Sequence, residues 1–292
     1  SLWSKQRKKP WKKNNSMIEW IETVNQEMPY FFPICVFIFG SLCGSFFNVC
    51  IYRIPEGRSI VWPPSACACG KKISPFHNIP ILSWLLLRGR AACCDQTFSI
   101  RYLVVEALTG ILFLLTWLKY EPVMAAIGMV FISILLVSTF IDFDHMIIPD
   151  RFSIGGAALG LALSAFIPEL HGYSSGILAG HYESFLASII GLTAGTAVVY
   201  WISVIGELIL KKPAMGEGDI KFLACIGAFT GWQGALFALF GGAFVGTILL
   251  LPLLIKERLK PNSEGFTQEV PFGPMLALGA ILYFLFLKNL VL

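Results

Sequence analysis

Long stretches with no charge, or with a single acid, recur along this 292-residue chain and decide what it can fold into. Most are near the roughly 20 residues that a helix needs to span hydrocarbon. A bilayer offers isolated backbone groups no partners outside their own helix, so the stretches are predicted to be transmembrane helices. The composition agrees, because 56% of the residues are hydrophobic and only 14% are charged. The stretches are 30–52, 102–118, 122–141, 152–168, 184–210, 222–255 and 270–287.

The stretch 222–255 is too long for one simple span. Gly231-Trp232-Gln233-Gly234 near its start predicts a turn with an interfacial aromatic residue. We therefore predict an all-α polytopic membrane protein with about eight transmembrane helices. Its predicted parts are an N-terminal extension (1–29), a first span (30–52), a cysteine-containing loop domain (53–101) and a seven-helix membrane domain (102–292).

The distribution of basic residues predicts the orientation. The loops on one side hold 14 Lys and Arg residues, whereas the other side holds only Lys119 and Lys288. By the positive-inside rule, the basic side is cytoplasmic. Residues 1–16 carry six basic residues on the opposite side, and we interpret them as an atypical extension or an expression remnant outside the fold. No basic face with interleaved aromatic residues predicts binding to nucleic acid.

Two aspartates lie at the basic ends of predicted spans. Asp142 lies in "FIDFDHMIIPD", which closes the third span, and Asp219 lies in "GEGD", which opens the sixth. The parity of the spans brings both to one membrane depth. Two carboxyls a few ångströms apart share one proton, so that one can take a proton from water while the other donates to a peptide carbonyl. The alternative is that each acid only caps a helix end.

Neighbouring residues are candidates for supporting roles. Gly216 and Gly218 would let a backbone approach closely and would allow φ values that other residues resist. Asp144 and Asp150 are interpreted as loop or cap residues, with an accessory role as the alternative.

Glu106 is a further ionisable residue near the basic end of a predicted span. We expect it to pair with Arg101 or Arg53. Because an acid at membrane depth is a functional candidate by default, contact with a substrate leader or a cofactor is the alternative.

The loop domain contains two cysteine pairs, Cys67 with Cys69 and Cys93 with Cys94. In a reducing compartment, two such pairs about 25 residues apart suggest zinc more than disulfides. CxC and CC fit a tetrahedral site less well than paired CxxC. Unligated cysteines or a redox pair therefore stay open.

Six motifs together resemble those of bacterial prepilin peptidases, the type IV leader peptidases, and the resemblance covers roughly residues 30 to 290. They are "GSFFNVCIYRIP" (44–55), "HNIPILSWLLLRGR" (77–90), "RYLVVE" (101–106), "IDFDHMIIPD" (141–150), "GEGDIKF" (216–222) and "PFGP" (271–274).

This resemblance implies an aspartyl protease of the GxGD class on the cytoplasmic side of the bacterial inner membrane. Asp142 and Asp219 match the two family aspartates. The implied substrates are prepilins and pseudopilins, which are cut after a glycine between a short basic leader and an apolar helix. Many members then methylate the new terminal amine with S-adenosylmethionine, while proteolysis itself needs no cofactor.

The cysteines depart from the family pattern, which usually has CxxC twice. The first pair here is one residue short, and alignment on "GR" and "RY" puts Ala91 where the third cysteine would be. Cys94 matches, and Cys93 would have to substitute for the missing ligand. The departure bears on metal binding and on a carried-over methyltransferase role, but not on the two aspartates.

Paired membrane acids also occur in proton- or cation-coupled transporters, as relays and ion ligands. Transporter sites usually lie near the midplane between internal repeats, whereas both acids here lie at one face and the motifs do not repeat. A third possibility is a non-catalytic assembly protein whose cysteine loop docks a partner, but it leaves the paired aspartates unexplained. The oligomeric state does not follow from the sequence.

Overall fold

A computed structural model describes residues 16–67, 69–74, 78–94, 96–174, 176, 178–211, 215–258 and 271–291, and in these ranges the chain is almost entirely helical. Most of residues 1–16, read above as an extension or remnant, lie outside the described residues. The helices are α1 (Ser16–Glu27), α2 (Phe31–Arg53), α3 (Leu82–Leu87), α4 (Arg101–Lys119), α5 (Pro122–His145), α6 (Asp150–Phe166), α7 (Leu178–Leu210), α8 (Glu217–Arg258), α9 (Gly273–Leu282) and α10 (Lys288–Val291).

Five described helices are long and apolar enough to cross a membrane, namely α2, α4, α5, α7 and α8. The segment Gly273–Leu287 is also apolar but shorter, and α6 has 17 residues. The predicted all-helical membrane fold is therefore confirmed, while the count of eight spans and the division into domains stay predictions. The cysteine-containing segment lies between α2 and α4, as expected.

Helix α8 is interrupted within its 42 residues at Gly231, whose φ of 73° is not helical. This is the glycine at which the sequence predicted a turn. Just before the break, α7 and α8 cross with their backbones in contact: a β-carbon on Gly191 would lie 2.2 Å from the Gly227 carbonyl oxygen. Only residues without side chains allow two helices to approach this closely.

Aromatic rings join α5, α8 and the last apolar segment at the centre of the bundle. The ring of Phe131 stacks on that of Phe229 at 4.7 Å between centroids and lies 5.6 Å from the ring of Phe284. All three side chains are fully buried. The first half of α8 is therefore a central element, packed by α5 on one side and by the chain after α9 on another.

The chain from Tyr283 to Leu287 continues α9 as a π-helical turn. Such a turn leaves carbonyl groups without their usual helical partners. The Tyr120 hydroxyl donates a hydrogen bond to the Phe284 carbonyl, and the Lys119 amine donates one to the Leu285 carbonyl. The corner between α4 and α5 is thereby attached to this π-helical turn, at the end of the bundle opposite Asp142.

Helices α2 and α4 pack side by side through small residues and polar contacts. A β-carbon on Gly44 would lie 2.7 Å from the Glu106 Cα atom, so the helices approach closely there. The Asn48 side chain donates a hydrogen bond of 3.2 Å to the Tyr102 carbonyl. The loop domain therefore starts and ends on one rigid helix pair.

Candidate active site

Asp142 lies in the last turn of α5, one turn before the helix ends at His145. Met146 follows in the left-handed conformation, and its amide donates to the Asp142 carbonyl at 3.0 Å. This sharp end turns the chain back towards α6. The Asp142 side chain is only 5% exposed, and its Oδ2 atom accepts a hydrogen bond of 3.1 Å from the Gly273 amide.

Asp219 lies in the first turn of α8, where the helix dipole favours a negative charge. It is half-buried, and its carboxyl interacts electrostatically with that of Asp142. The Gly216 backbone also hydrogen-bonds the Asp219 carboxyl. The two predicted aspartates thus meet at one end of the bundle although 77 positions separate them in the sequence.

Ile148, in the short connection between α5 and α6, lies against the starts of both α8 and α9. It is buried, and its Cβ atom lies 3.4 Å from the position that a β-carbon on Gly218 would take. Its Cδ1 atom lies 3.0 Å from the corresponding position on Gly273. The starts of α8 and α9 therefore converge on one apolar side chain, which sets their separation.

The two glycines of "GEGD" act by size and not by unusual backbone angles. Positive φ values occur at other described glycines, such as Gly70 and Gly231, but not at Gly216 or Gly218. The expectation of special φ values is therefore wrong. Gly218 faces Ile148 in ordinary van der Waals distance, so a larger side chain would press on the connection between α5 and α6.

Gly273 is the residue that sequence reasoning missed. A β-carbon at this position would lie 2.6 Å from the Asp142 Oδ2 atom, closer than real contacts allow. The motif "PFGP" does not by itself indicate this role, since the partner of Gly273 is 131 positions away in the sequence. Gly273 is the first residue of α9, and the proline that follows it is a local signal of a fixed helix start.

Asp144 and Asp150 are both tied into ion pairs around the site. Asp144 pairs with Arg101, the first residue of α4. Asp150, the first residue of α6, pairs with Lys221 in α8 at 3.0 Å. These two pairs link the ends of α4, α5, α6 and α8 around the aspartates, and half-exposed pairs of this kind contribute about 0–1 kcal/mol each.

The predicted pairing of Glu106 with Arg101 or Arg53 is wrong. Arg101 is engaged by Asp144, and Arg53 donates to the Ser59 carbonyl at 3.0 Å. Glu106 instead accepts a hydrogen bond of 2.7 Å from the Ile81 amide, and its carboxyl is buried. A backbone donor in the loop domain replaces the expected cation.

The four loop cysteines come together, since their sulfur atoms all lie within 4.8 Å of one another. Sulfur–sulfur distances are 3.4 Å for Cys67 and Cys94, 3.3 Å for Cys69 and Cys93, and 3.9 Å for Cys93 and Cys94. A tetrahedral zinc with Zn–S bonds of about 2.3 Å requires about 3.8 Å. The four sulfur atoms are therefore close enough together to bind one zinc ion. The short CxC and CC spacings in the sequence do not prevent this arrangement.

Two tight turns achieve this geometry. One is closed by an antiparallel bridge between Ala66 and Lys72 and contains Gly70 with a φ of 82°. The other is closed by a bridge between Arg90 and Thr97. Each turn carries one cysteine pair, and the sulfur atoms of the two pairs come together in one cluster.

Hydrogen bonding divides the protons of this cluster unequally. The pKa of Cys67 is lowered to about 7, mainly by a hydrogen bond with the Cys69 backbone and further by hydrogen bonds with the Cys93 and Cys94 side chains. Bonds with Cys67 and Cys69 raise the pKa of Cys93 to about 12. Thiolates are the metal-binding form of cysteine, so the lowered pKa of Cys67 favours metal binding near neutral pH.

Comparison with known proteins identifies two matching family models. Residues 38–120 match the bacterial peptidase A24 N-terminal domain, and residues 129–251 match the type IV leader peptidase family. The boundary between them falls close to the turn between α4 and α5. No solved structure matches the chain significantly.

Several relatives share the name "Prepilin leader peptidase/N-methyltransferase". The one from Myxococcus xanthus is 36% identical over 251 residues, which cover 83% of this chain and 69% of the relative. The one from Pectobacterium carotovorum is 32% identical over 267 residues, which cover 84% and 89%. The one from Dichelobacter nodosus is 31% identical over 289 residues, which cover 87% and 92%.

Proposed function

Because the chain belongs to the type IV leader peptidase family, we propose that it is a membrane aspartyl endopeptidase that removes leader peptides from prepilins and pseudopilins. The observation that supports this most is the meeting of two carboxyls at one end of the bundle, that of Asp142 buried and that of Asp219 half-buried. Asp142 is held by the Gly273 amide, and Asp219 interacts with it electrostatically. No observation in the described residues favours the proton- or cation-coupled transporter.

The proposed reaction uses Asp142 and Asp219 as a general acid–base pair. One carboxylate takes a proton from water as the water attacks the scissile carbonyl, and the protonated partner donates a hydrogen bond to the carbonyl oxygen. The proton then passes to the leaving amine. The Gly273 amide holds Asp142 in place throughout. Because the two carboxyls carry the proton transfers, the proposed hydrolytic step uses no cofactor.

The proposed location is the inner membrane, with the site facing the cytoplasm. The basic residues of the predicted loops cluster at the end of the bundle that carries both aspartates. A substrate with a basic leader and an apolar helix would lie with its junction at this depth. Its backbone must unwind locally, since amides inside a helix are shielded from attack.

The name of the relatives also suggests a second activity, methylation of the new N-terminus with S-adenosylmethionine as methyl donor. We propose this activity for the chain without assigning residues to it. The same mass spectrum that reports leader removal would report an added methyl group.

We further propose that Cys67, Cys69, Cys93 and Cys94 bind one zinc ion that holds the two turns of the loop domain together. The support is the mutual distance of the sulfur atoms, which suits a tetrahedral thiolate site. Such a metal is structural, because four protein ligands leave no open position for a substrate.

The test of the peptidase is leader removal from a purified prepilin in detergent, followed by mass spectrometry. Asp142→Asn and Asp219→Asn should each abolish cleavage while expression and membrane insertion stay intact. Asp150→Asn is the matched control, since it removes a nearby exposed carboxylate and should retain most activity. Full cleavage by either of the first two variants would rule out the mechanism, and loss of ion uptake in them would favour a transporter.

A further inference from the structure

The segment 79–90 is attached to a side chain that lies inside α4, away from the end of that helix. The Ile81 amide, just before α3, donates to the Glu106 carboxyl at 2.7 Å. Glu106 lies five residues inside α4, which corresponds to about 7.5 Å along the helix from its first residue, Arg101. The Glu106 carboxyl also hydrogen-bonds Ser45, well inside α2. Helix α3 therefore starts at the depth of the spans.

Helix α3 exposes apolar side chains at this depth. None of its residues is buried, and Leu82, Leu85 and Leu86 are 53%, 53% and 80% exposed. Trp84 is turned the other way and packs on Gly89, whose added β-carbon would lie 3.2 Å from the indole. The three leucines thus form an apolar face that is more than half exposed in the part of the chain that the structure describes.

Exposed basic residues border this face. Arg88 and Arg90, which follow α3 directly, are both exposed, and Lys71 and Lys72 are exposed on the first cysteine turn, before α3 in the sequence. The ion pairs of the described residues use other cations, Arg58, Arg101 and Lys221. The charges of Arg88 and Arg90 would repel a basic peptide, but they complement the phosphates of anionic lipids, to which basic residues at the membrane interface are drawn.

We infer that residues 79–90 form an interfacial anchor embedded in the leaflet at the aspartate end of the bundle. The leucines of α3 enter the acyl region, while Arg88 and Arg90 extend to headgroup phosphates of anionic phospholipids. The pairing of Arg101 with Asp144 places this leaflet beside the end of α5. Since α3 lies between the two cysteine pairs in the sequence, the anchor would hold the cysteine turns against the membrane surface.

The test is photocrosslinking of the full chain in nanodiscs that contain equal amounts of phosphatidylglycerol and phosphatidylcholine. Benzoylphenylalanine at Leu86 should form lipid adducts, and the same group at Gln96, exposed in the same loop, is the matched control. Leu85 provides a second position with the same expectation if the first variant does not fold. Adducts at the leucines should consist mainly of phosphatidylglycerol.

The charge part of the inference has its own readout. Arg88→Gln should lower the preference for phosphatidylglycerol by about fivefold while adducts with phosphatidylcholine persist. Lipid adducts no more frequent at Leu86 and Leu85 than at Gln96 would overturn the anchor. Adducts with an added prepilin in place of lipid would also overturn it, because the face would then bind substrate.

Discussion

The Gly273 amide offers the sharpest test of how the site is held. In Gly273→Ala the new methyl group would lie 2.6 Å from the Asp142 Oδ2 atom and 3.0 Å from the Ile148 Cδ1 atom. Since ordinary contacts begin near 3.4 Å, the carboxyl or the start of α9 must move by about 0.8 Å. That movement lengthens or breaks the present hydrogen bond of 3.1 Å.

The size of the effect follows from this bond. A hydrogen bond to a charged group contributes about 1.5–3 kcal/mol. If the loss falls on the transition state, at about 1.4 kcal/mol for each factor of ten, kcat/KM should fall by about 10- to 100-fold. Misplacement of a reacting group by about 1 Å can by itself lower the rate by a similar factor, so the fall in kcat/KM should be at least this large.

The assay measures leader removal and thermal unfolding on the same purified variant. Gly155→Ala is the control, because a β-carbon there meets only the Asp150 carbonyl at 3.9 Å. It should cleave like the unaltered protein. If Gly273→Ala cleaves within twofold of that control while remaining folded, the amide does not position Asp142 and the reasoning fails.

Two other changes test the loop domain and its attachment. Glu106→Ala leaves the Ile81 amide without its acceptor and should lower the free energy of unfolding by about 1–3 kcal/mol. Glu106→Gln keeps an acceptor and should lose less stability. Thermal unfolding compares the two variants, and equal losses would contradict a role for this hydrogen bond. Metal analysis should find about one zinc per chain, and the zinc content should fall in the double variant Cys67→Ser with Cys94→Ser. Protein that is folded and active without metal would refute the structural role of zinc.

The sequence predicted the membrane class and the position of the aspartates well, because both depend on local patterns. The predicted span 102–118 and the observed α4 differ by one residue at each end, since charges mark where hydrocarbon stops. Asp142 and Asp219 lie at one end of the bundle because α6 and α7 lead the chain away from that end and back between them, while the catalytic role of the two residues stays a prediction. Such reasoning needs no side-chain geometry.

The errors concern contacts between distant segments. Nothing local shows that Arg101 pairs with Asp144 and leaves Glu106 to a backbone amide, because each choice depends on where α3 folds back. The CxC and CC spacings suggest a poor metal site for the same reason. Its geometry depends on turns such as that at Gly70, which motif spacing alone does not describe.

The π-helical turn after α9 has a consequence for changes in chain length. The last helical segment is attached at its start through Gly273 to Asp142, and near its end through Phe284 and Leu285 to the corner between α4 and α5. A π-helical turn accommodates one residue more than an α-helix needs over the same distance. Because Phe284 and Leu285 themselves belong to this turn, a single-residue deletion between 283 and 287 would remove or shift the second attachment. Insertions or deletions between 273 and 282 would rotate the far end by about 100° per residue and separate one attachment from its partner.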